Sequence, residues 1–99
     1  MPSNMEQTIE HHEHDAKGAF YVERDGRRLA EMTYSRTNAA MIIVDHTEVD
    51  VSLGGQGVGR QLLGALVHWA RATGTKVVPL CRFAKAQFDK DPSIRDVLF

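Results

Sequence analysis

Two short apolar segments near the start of the chain, residues 20–22 and 29–34, flank the dipeptide Asp25-Gly26. An Asp-Gly pair between two strand-like runs is a strong signal for a tight hairpin, because both residues tolerate the positive φ angles of such a turn. We therefore predict that the folded part of the chain begins with an antiparallel pair of strands.

The middle of the chain changes its hydrophobic period twice. Residues 40–44 (AMIIV) are apolar at consecutive positions, as in a strand covered on both faces, and residues 46–51 then alternate. A helical spacing follows and ends before Gly74, a residue type that commonly terminates helices. The predicted buried stripe of this helix consists of Val58, Leu62, Ala65, Leu66, Trp69 and Ala70.

Residues 77–80 predict a further short strand directly after the helix. Strand, helix and strand in this order predict a parallel βαβ crossover, which is right-handed in nearly all proteins. Pro79 cannot donate a hydrogen bond to a neighbouring strand, so the sheet either splays there or the strand simply ends. Short C-terminal helices are predicted over residues 84–88 and from Pro92 onward. The predicted fold class is α+β (mixed α/β).

The chain has 99 residues, a length and composition that predict one small domain. We expect residues 16–99 to form this domain and the polar residues 1–15 to be a flexible segment. A single cysteine excludes an internal disulfide and leaves a monomer and a homodimer open. No apolar run of about eighteen residues and no signal-peptide pattern occur, which predicts a cytoplasmic protein without a membrane partner.

The net charge of −1 conceals a difference between the two halves of the chain. Residues 1–50 hold five Lys or Arg and ten Asp or Glu, whereas residues 51–99 hold seven and three. A basic C-terminal half suits an anionic ligand, although ordinary solvated faces would produce the same asymmetry. No cluster of Lys and Arg with interleaved aromatic residues occurs, so no nucleic-acid partner is expected.

The glycine-rich residues 54–59 (GGQGVG) join the central strand to the helix, and such a junction suits a phosphate group. Backbone N–H groups and the positive end of the helix dipole meet there, and glycines allow a bulky anion to approach. A Walker A loop would need Lys and Ser or Thr where Arg60 and Gln61 stand. A dinucleotide-binding loop would need a third glycine at Arg60 and an acidic residue near residues 76–79. Both classes are therefore excluded.

The remaining class is the loop Gln/Arg-x-x-Gly-x-Gly/Ala, which residues 57–63 (GVGRQLL) resemble closely. This loop cradles the diphosphate of coenzyme A in the GNAT superfamily of N-acetyltransferases. Residues 20–34, 46–49 and 78–83 extend the resemblance, in order and spacing, to a small single-domain branch of that superfamily. One position departs from the motif, because Gly54 stands where Gln or Arg is common.

The resemblance implies a GNAT-like fold that transfers an acetyl group from acetyl-CoA to an unidentified amine, either a small amine or an exposed lysine. The diphosphate of acetyl-CoA or coenzyme A would bind the glycine loop, and the pantetheine arm would lie along residues 47–51. The implied cofactor-binding residues are Thr47, Val49, Val51, Gly54, Gly55, Gln56, Gly57, Val58, Gly59 and Arg60. The alternative functions are a non-catalytic acyl-CoA-binding module and a scaffold or partner-binding domain.

Cys81, His46 and Glu48 are the predicted catalytic residues. Cys81 follows the second crossover strand and could protonate the departing thiolate, hydrogen-bond it or accept the acyl group; a cysteine that only packs is the alternative. His46 could accept the proton of the attacking amine, and the strand alternation places Glu48 on the same face as a second base candidate. The general-acid tyrosine of many superfamily members has no counterpart, because no tyrosine follows Tyr34.

Residues 11–14 (HHEH) raise the question of a metal site, because closely spaced imidazoles can share a cation. The segment precedes every periodic pattern, and the rest of the chain supplies no partner motif. Adventitious binding is therefore the expected behaviour, and no metal cofactor is predicted.

Overall fold

A computed structural model describes residues 7–99, which form one five-stranded sheet with helices packed against it. The strand order is β1-β2-β3-β4-β5, antiparallel throughout except for the parallel pair β4 and β5. The predicted α+β class is confirmed. The elements are β1 (Glu10–His14), β2 (Lys17–Arg24), β3 (Arg27–Asn38), β4 (Met41–Val49), a 3₁₀ helix (Val51–Leu53), α1 (Val58–Thr73), β5 (Lys76–Pro79), α2 (Arg82–Lys90) and a second 3₁₀ helix (Pro92–Val97).

The predicted N-terminal hairpin is confirmed, since β2 and β3 pair from Lys17↔Ser35 to their turn. Asp25 and Gly26 form that turn with φ angles of 54° and 75°. Two successive positive φ angles match the twist of the flanking strands, which is why Asp-Gly is favoured at this point.

The segment before the hairpin differs from the prediction. Instead of a flexible segment throughout residues 1–15, the structure contains β1 at Glu10–His14, paired antiparallel with β2. The strand has no apolar residue, so hydrophobic spacing does not reveal it. It is held by backbone pairing and by the His11 ring, which stacks on Phe20 with centroids 4.0 Å apart. Residues 1–6 lie outside the described part of the chain.

The helix α1 packs its apolar stripe against one face of the sheet. Its most deeply buried side chains are Leu62 and Leu66, and Ala65 and Trp69 lie at the margin of the stripe, half-buried. Gly74 ends the helix as predicted, with a φ of 70° and its N–H on the Ala70 carbonyl. The sheet residues buried against α1 are Phe20, Val22, Ala30, Met32, Tyr34, Ile42, Val44 and Val77.

The strands β4 and β5 pair over a short stretch and then separate. Pairing ends at Val44↔Pro79, whereas β4 continues to Val49. The N–H groups of Leu80 and Cys81 both reach the Val44 carbonyl, at 3.1 Å each, and close the paired region. The parallel crossover and the interruption at Pro79 are thus both confirmed. Beyond this point one edge of β4 has no neighbouring strand among residues 7–99.

The C-terminal part matches the predicted short helices, with different bounds. Residues 84–88 lie inside α2, and Pro92 occupies the first turn of the second 3₁₀ helix. The Asp91 carboxylate caps that helix by accepting the Ser93 N–H at 3.0 Å. None of the helices within residues 7–99 has the length and apolarity needed to span a bilayer.

Candidate functional site

A groove of about 420 Å³ lies where β4 parts from β5. Its walls are the unpaired end of β4, the glycine loop, the first turn of α1 and the start of α2. The lining residues are Thr47, Val49, Asp50, Val51, Leu53, Gly54, Gly55, Gly57, Val58, Gly59, Arg60 and Phe83. All the predicted cofactor-binding residues except Gln56 therefore come together in one groove.

Gln56 does not line the groove, and its polar groups bond instead to Gln7 and Gln61. Its side-chain oxygen accepts from Gln7 Nε2 at 3.5 Å, and its carbonyl accepts from Gln61 Nε2 at 3.3 Å. These contacts tie the loop to the N-terminal segment and to α1. Gln56 is thus a supporting residue in this structure.

The glycine loop presents bare backbone at the start of α1. Gly55 and Gly57 have φ angles of 76° and 70°, a region that L side chains rarely adopt. Gly57 precedes the first helical residue and provides no side-chain cap, and the first turn contains no acidic residue. The first N–H groups of a helix have no acceptor within the helix. The positive end of the α1 dipole therefore opens into the groove without an internal anion.

Gly59 explains how Phe83 becomes a wall of the groove. A Cβ at Gly59 would lie only 2.8 Å from the Phe83 ring, so the absence of a side chain lets the start of α2 approach the first turn of α1. Phe83 could not be predicted as a groove residue from the sequence, because its place depends on contact between two helices. An aromatic residue directly after the splayed strand is the only local signal it offers.

Two further lining residues were missed, and both have local structural roles. The Asp50 carboxylate accepts from Ser52 N at 3.0 Å and from Ser52 Oγ at 2.7 Å, which lowers the pKa of Asp50. Leu53 is buried in the core under the groove. Together they fix the 3₁₀ helix that leads from β4 to the glycine loop.

Cys81 lies behind the groove rather than in its lining. Its Sγ is 3.0 Å from Thr47 Oγ1, and it accepts the Ala84 N–H at 3.4 Å as the N-cap of α2. The residue is 8 % exposed. The thiol therefore joins α2 to the unpaired end of β4 and reaches the groove through Thr47.

His46 and Glu48 lie on the other face of β4 from Thr47. The register pairs Thr47 with the buried Met32, on the face that α1 covers. The side chains of His46 and Glu48 are 51 % and 72 % exposed, and His46 Nε2 lies 3.6 Å from Glu48 Oε1, beyond hydrogen-bond distance. The predicted alternation is confirmed, but Cys81 is separated from both base candidates by the strand.

Tyr34 is itself buried, but its hydroxyl is engaged in a polar network with the more exposed residues His11, Glu13 and Arg36. Its hydroxyl donates to Glu13 Oε1 at 2.6 Å and lies 2.7 Å from His11 Nε2, while Arg36 donates to both Glu13 oxygens. Burial and the Glu13 bond raise the pKa of Tyr34. Hydrogen bonds from Arg36 and Tyr34 lower the pKa of Glu13 to about 2. The role of this network is to dock β1.

The histidines of residues 11–14 do not converge. Because β1 is a strand, His11 points toward α1, where its ring meets the Trp69 ring edge-on at 5.0 Å. Burial lowers the pKa of His11. His14 lies on the other face, exposed, with its Nε2 3.2 Å from Asp15 Oδ2. The strand geometry therefore separates His11 from His12 and His14, which share the other face of β1.

Comparisons with known proteins agree with this architecture. A family model described as GCN5-related N-acetyl-transferase matches residues 19–97. The solution NMR structure of a protein from Staphylococcus aureus, described as a GCN5-like candidate N-acetyltransferase, is 40% identical in sequence, with a TM-score of 0.70. That match covers 91% of this chain and 87% of the other. Among curated proteins, no match to the chain was found.

Two more distant structures share the fold. Ribosomal-protein-alanine N-acetyltransferase from Brucella melitensis is 19% identical, with a TM-score of 0.58 and coverage of 81% of this chain and 61% of that one. AAC(6′)-Iy, solved with the bisubstrate analog CoA-S-monomethyl-acetylneamine, is 16% identical, with a TM-score of 0.51 and coverage of 82% and 62%. The family model spans most of the chain. This chain therefore belongs to the GCN5-related N-acetyltransferase (GNAT) family.

Proposed function

We propose that this protein transfers an acetyl group from acetyl-CoA to an amine. The observation that carries the proposal is the groove itself, in which uncapped helix amides and an unpaired strand edge face the same space. Amides at a helix N-terminus suit a diphosphate, and a free strand edge suits the amide groups of a pantetheine arm. One elongated ligand that carries both groups is coenzyme A.

The diphosphate would bind the amides of residues 56–60, with the Arg60 guanidinium beside them. Arg60 Nη2 would be 3.9 Å from a Cβ placed on Gly57, so this cation lies over the loop glycines. The pantetheine arm would run along residues 47–51 and against the Phe83 ring. This path leads from the loop toward Thr47 and, behind it, Cys81.

The proposed reaction is a direct transfer within this groove. A neutral amine attacks the thioester carbonyl, the C–N bond forms, the C–S bond breaks, and the thiolate takes a proton from the Cys81 thiol or from water. The proton lost by the amine is taken by His46, by Glu48 or by a water between them. Most of the acceleration would come from proximity and from N–H donors aimed at the oxyanion.

A calorimetric titration with acetyl-CoA and coenzyme A tests the cofactor site. Gly57→Asp and Gly57→Asn form a matched pair, because both side chains tolerate a positive φ and both can cap a helix, whereas only Asp adds a negative charge. We expect micromolar binding by the wild type and a loss of about tenfold or more for Gly57→Asp relative to Gly57→Asn. Equal affinity of the two variants would contradict a diphosphate on this loop.

A non-catalytic acyl-CoA-binding module is the second candidate function. It is favoured by the Cys81 thiol, which is already engaged by Thr47 and by the Ala84 N–H. It is also favoured by Tyr34, whose hydroxyl is committed to Glu13. Amine-dependent release of the coenzyme A thiol from acetyl-CoA separates the two functions.

We place either function in the cytoplasm, where a free buried thiol such as Cys81 persists.

A further inference from the structure

We propose that Glu31, His46 and Glu48 form a binding site for a divalent transition-metal ion of the Zn²⁺ type. The site lies on the sheet face opposite α1, and it does not depend on the binding of acetyl-CoA in the groove. One ligand atom from each side chain lies within 4.8 Å of the other two. Among residues 7–99, no other group of three His, Cys, Asp or Glu side chains has its ligand atoms this close together.

The strand register creates the cluster. Glu31 on β3 lies directly opposite Glu48 on β4, and His46 stands two residues before Glu48 on the same face. A bulge places an extra residue, Asp45, between the paired residues Val44 and His46. Because the bulge shifts the alternation by one residue, His46 and Glu48 turn away from α1 although Val44 faces it. The bulge is therefore what delivers an imidazole and a carboxylate to Glu31.

The two carboxylates of the cluster favour a bound cation. Two carboxylates directly opposite each other on neighbouring strands repel. Arg28 compensates part of this charge, with its Nη1 3.3 Å from one Glu31 oxygen, but its guanidinium also stacks over the Tyr21 ring at 3.9 Å. Arg28 is thus held to the side of the cluster. A divalent ion between Glu31 and Glu48 would remove the repulsion.

The separation between His46 and Glu48 suits two ligands of one tetrahedral ion. His46 Nε2 and Glu48 Oε1 are 3.6 Å apart, too far for a hydrogen bond. Two ligands at about 2.0–2.2 Å from one tetrahedral ion are separated by about 3.3–3.6 Å, which is close to that distance. An imidazole with two carboxylates is a ligand set for Zn²⁺ or its neighbours, whereas Mg²⁺ and Ca²⁺ prefer oxygen ligands alone.

The site would keep an open coordination position. Three protein ligands leave a fourth position of a Zn²⁺ ion for water or another small ligand. A hollow of about 410 Å³ adjoins the carboxylates, and both Glu31 and Glu48 line it. Because the side chains of His46 and Glu48 are more than half exposed, an ion can enter from solvent without movement of the backbone.

Calorimetric titration of the untagged wild-type chain with Zn²⁺, without acetyl-CoA, tests the proposal. We expect one tight equivalent in the wild type, and binding weakened by about tenfold or more in His46→Asn and in Glu48→Gln. His14→Asn and His68→Asn are matched controls that remove exposed imidazoles elsewhere, and each is expected to bind Zn²⁺ as the wild type does. Co²⁺ in place of Zn²⁺ adds the absorption bands of a tetrahedral site.

Two results would overturn the proposal. One is equal Zn²⁺ affinity of the wild type and His46→Asn, and the other is a loss of binding in His14→Asn, which would assign the ion to β1. Circular dichroism of each variant verifies folding, which is expected to be intact because the substituted side chains are exposed. Acetyl-CoA affinity, measured separately without Zn²⁺, reports on the groove, so failure of one proposal is distinguishable from failure of the other.

Discussion

Gly59 and Gly64 lie on the same helix, but a side chain would have opposite consequences at the two positions. At Gly59 a Cβ would lie 2.8 Å from the Phe83 ring, whereas at Gly64 it would meet no atom within 4 Å. The glycine at position 59 thus has a packing cause, the close approach of α1 and α2 beside the groove. At Gly64 the helix is exposed and no contact requires glycine.

We therefore expect Gly59→Ala to destabilise the fold by about 1–3 kcal/mol, the usual cost of overpacking. Gly64→Ala is the matched control and is expected to stabilise it by up to about 1 kcal/mol, because alanine is the better helix former. Urea unfolding measures both changes. Stabilisation of the same size in both variants would contradict the close contact between the helices at Phe83.

Cys81 combines a structural role that is visible with a chemical role that is proposed. Cys81→Ala removes both Sγ contacts, with Thr47 and with the Ala84 N–H, so we expect a loss of about 1 kcal/mol of stability. Cys81→Ser keeps a capping oxygen and is expected to lose less. If the thiol protonates the leaving group, Cys81→Ala lowers the turnover rate by about tenfold or more at unchanged acetyl-CoA affinity. Wild-type turnover in that variant would leave Cys81 a packing residue.

At the scale of elements, β1 depends on polar groups rather than on apolar burial. Its two inward side chains are His11, against Phe20 and Trp69, and Glu13, paired with Arg36. Burial disfavours the protonated form of His11, and the Arg36 bond favours the ionised form of Glu13. At neutral pH the fold therefore holds His11 in its neutral form and Glu13 in its ionised form. Acidification protonates both side chains and removes this stabilisation.

This gives a pH dependence with a defined sign. Folding lowers the pKa of His11 from its ordinary value of 6.5. Below that pH the unfolded chain therefore binds this proton more readily than the folded chain does. The free energy of unfolding falls as the pH drops through that range. The Glu13 contribution persists above its ordinary pKa of 4.5 and is lost as the pH falls toward about 2. Unfolding free energies at about pH 7.5 and about pH 5.5 measure the His11 effect.

His11→Gln is expected to flatten that dependence, because the glutamine has no proton to gain in this range. His14→Gln, at the exposed position on the same strand, is the control and should keep the wild-type slope. A slope that is unchanged in His11→Gln would show that another group governs the acid sensitivity of β1.

The elements that could be predicted from the sequence are those with local signals. Asp25-Gly26 defines a turn by its own φ preferences, and the βαβ unit shows in the change from strand to helical period. β1 could not be predicted, because its five residues are all polar and its pairing with β2 leaves no pattern in the sequence. The bulge at Asp45 was likewise hidden, since it shows only in the register with β3.

At the scale of the whole molecule, the groove is an opening in a small single sheet. The described residues have a radius of gyration of 13.1 Å, close to the roughly 13 Å of a compact chain of this length. The glycine loop could be found from the sequence because its residues are contiguous. Phe83 and Glu31 could not, because each reaches its site through packing or pairing with a distant element.

The proposed function requires acetyl-CoA to occupy the groove between the unpaired end of β4 and the first turn of α1. Amide chemical shifts of the ¹⁵N-labelled protein during an acetyl-CoA titration test this most directly, residue by residue. We predict that the largest shifts fall on the amides of residues 57–60 and 47–51, with small ones at the exposed positions His12 and Lys17. Shifts concentrated on the open sheet face, or none at millimolar acetyl-CoA, would contradict the proposed function.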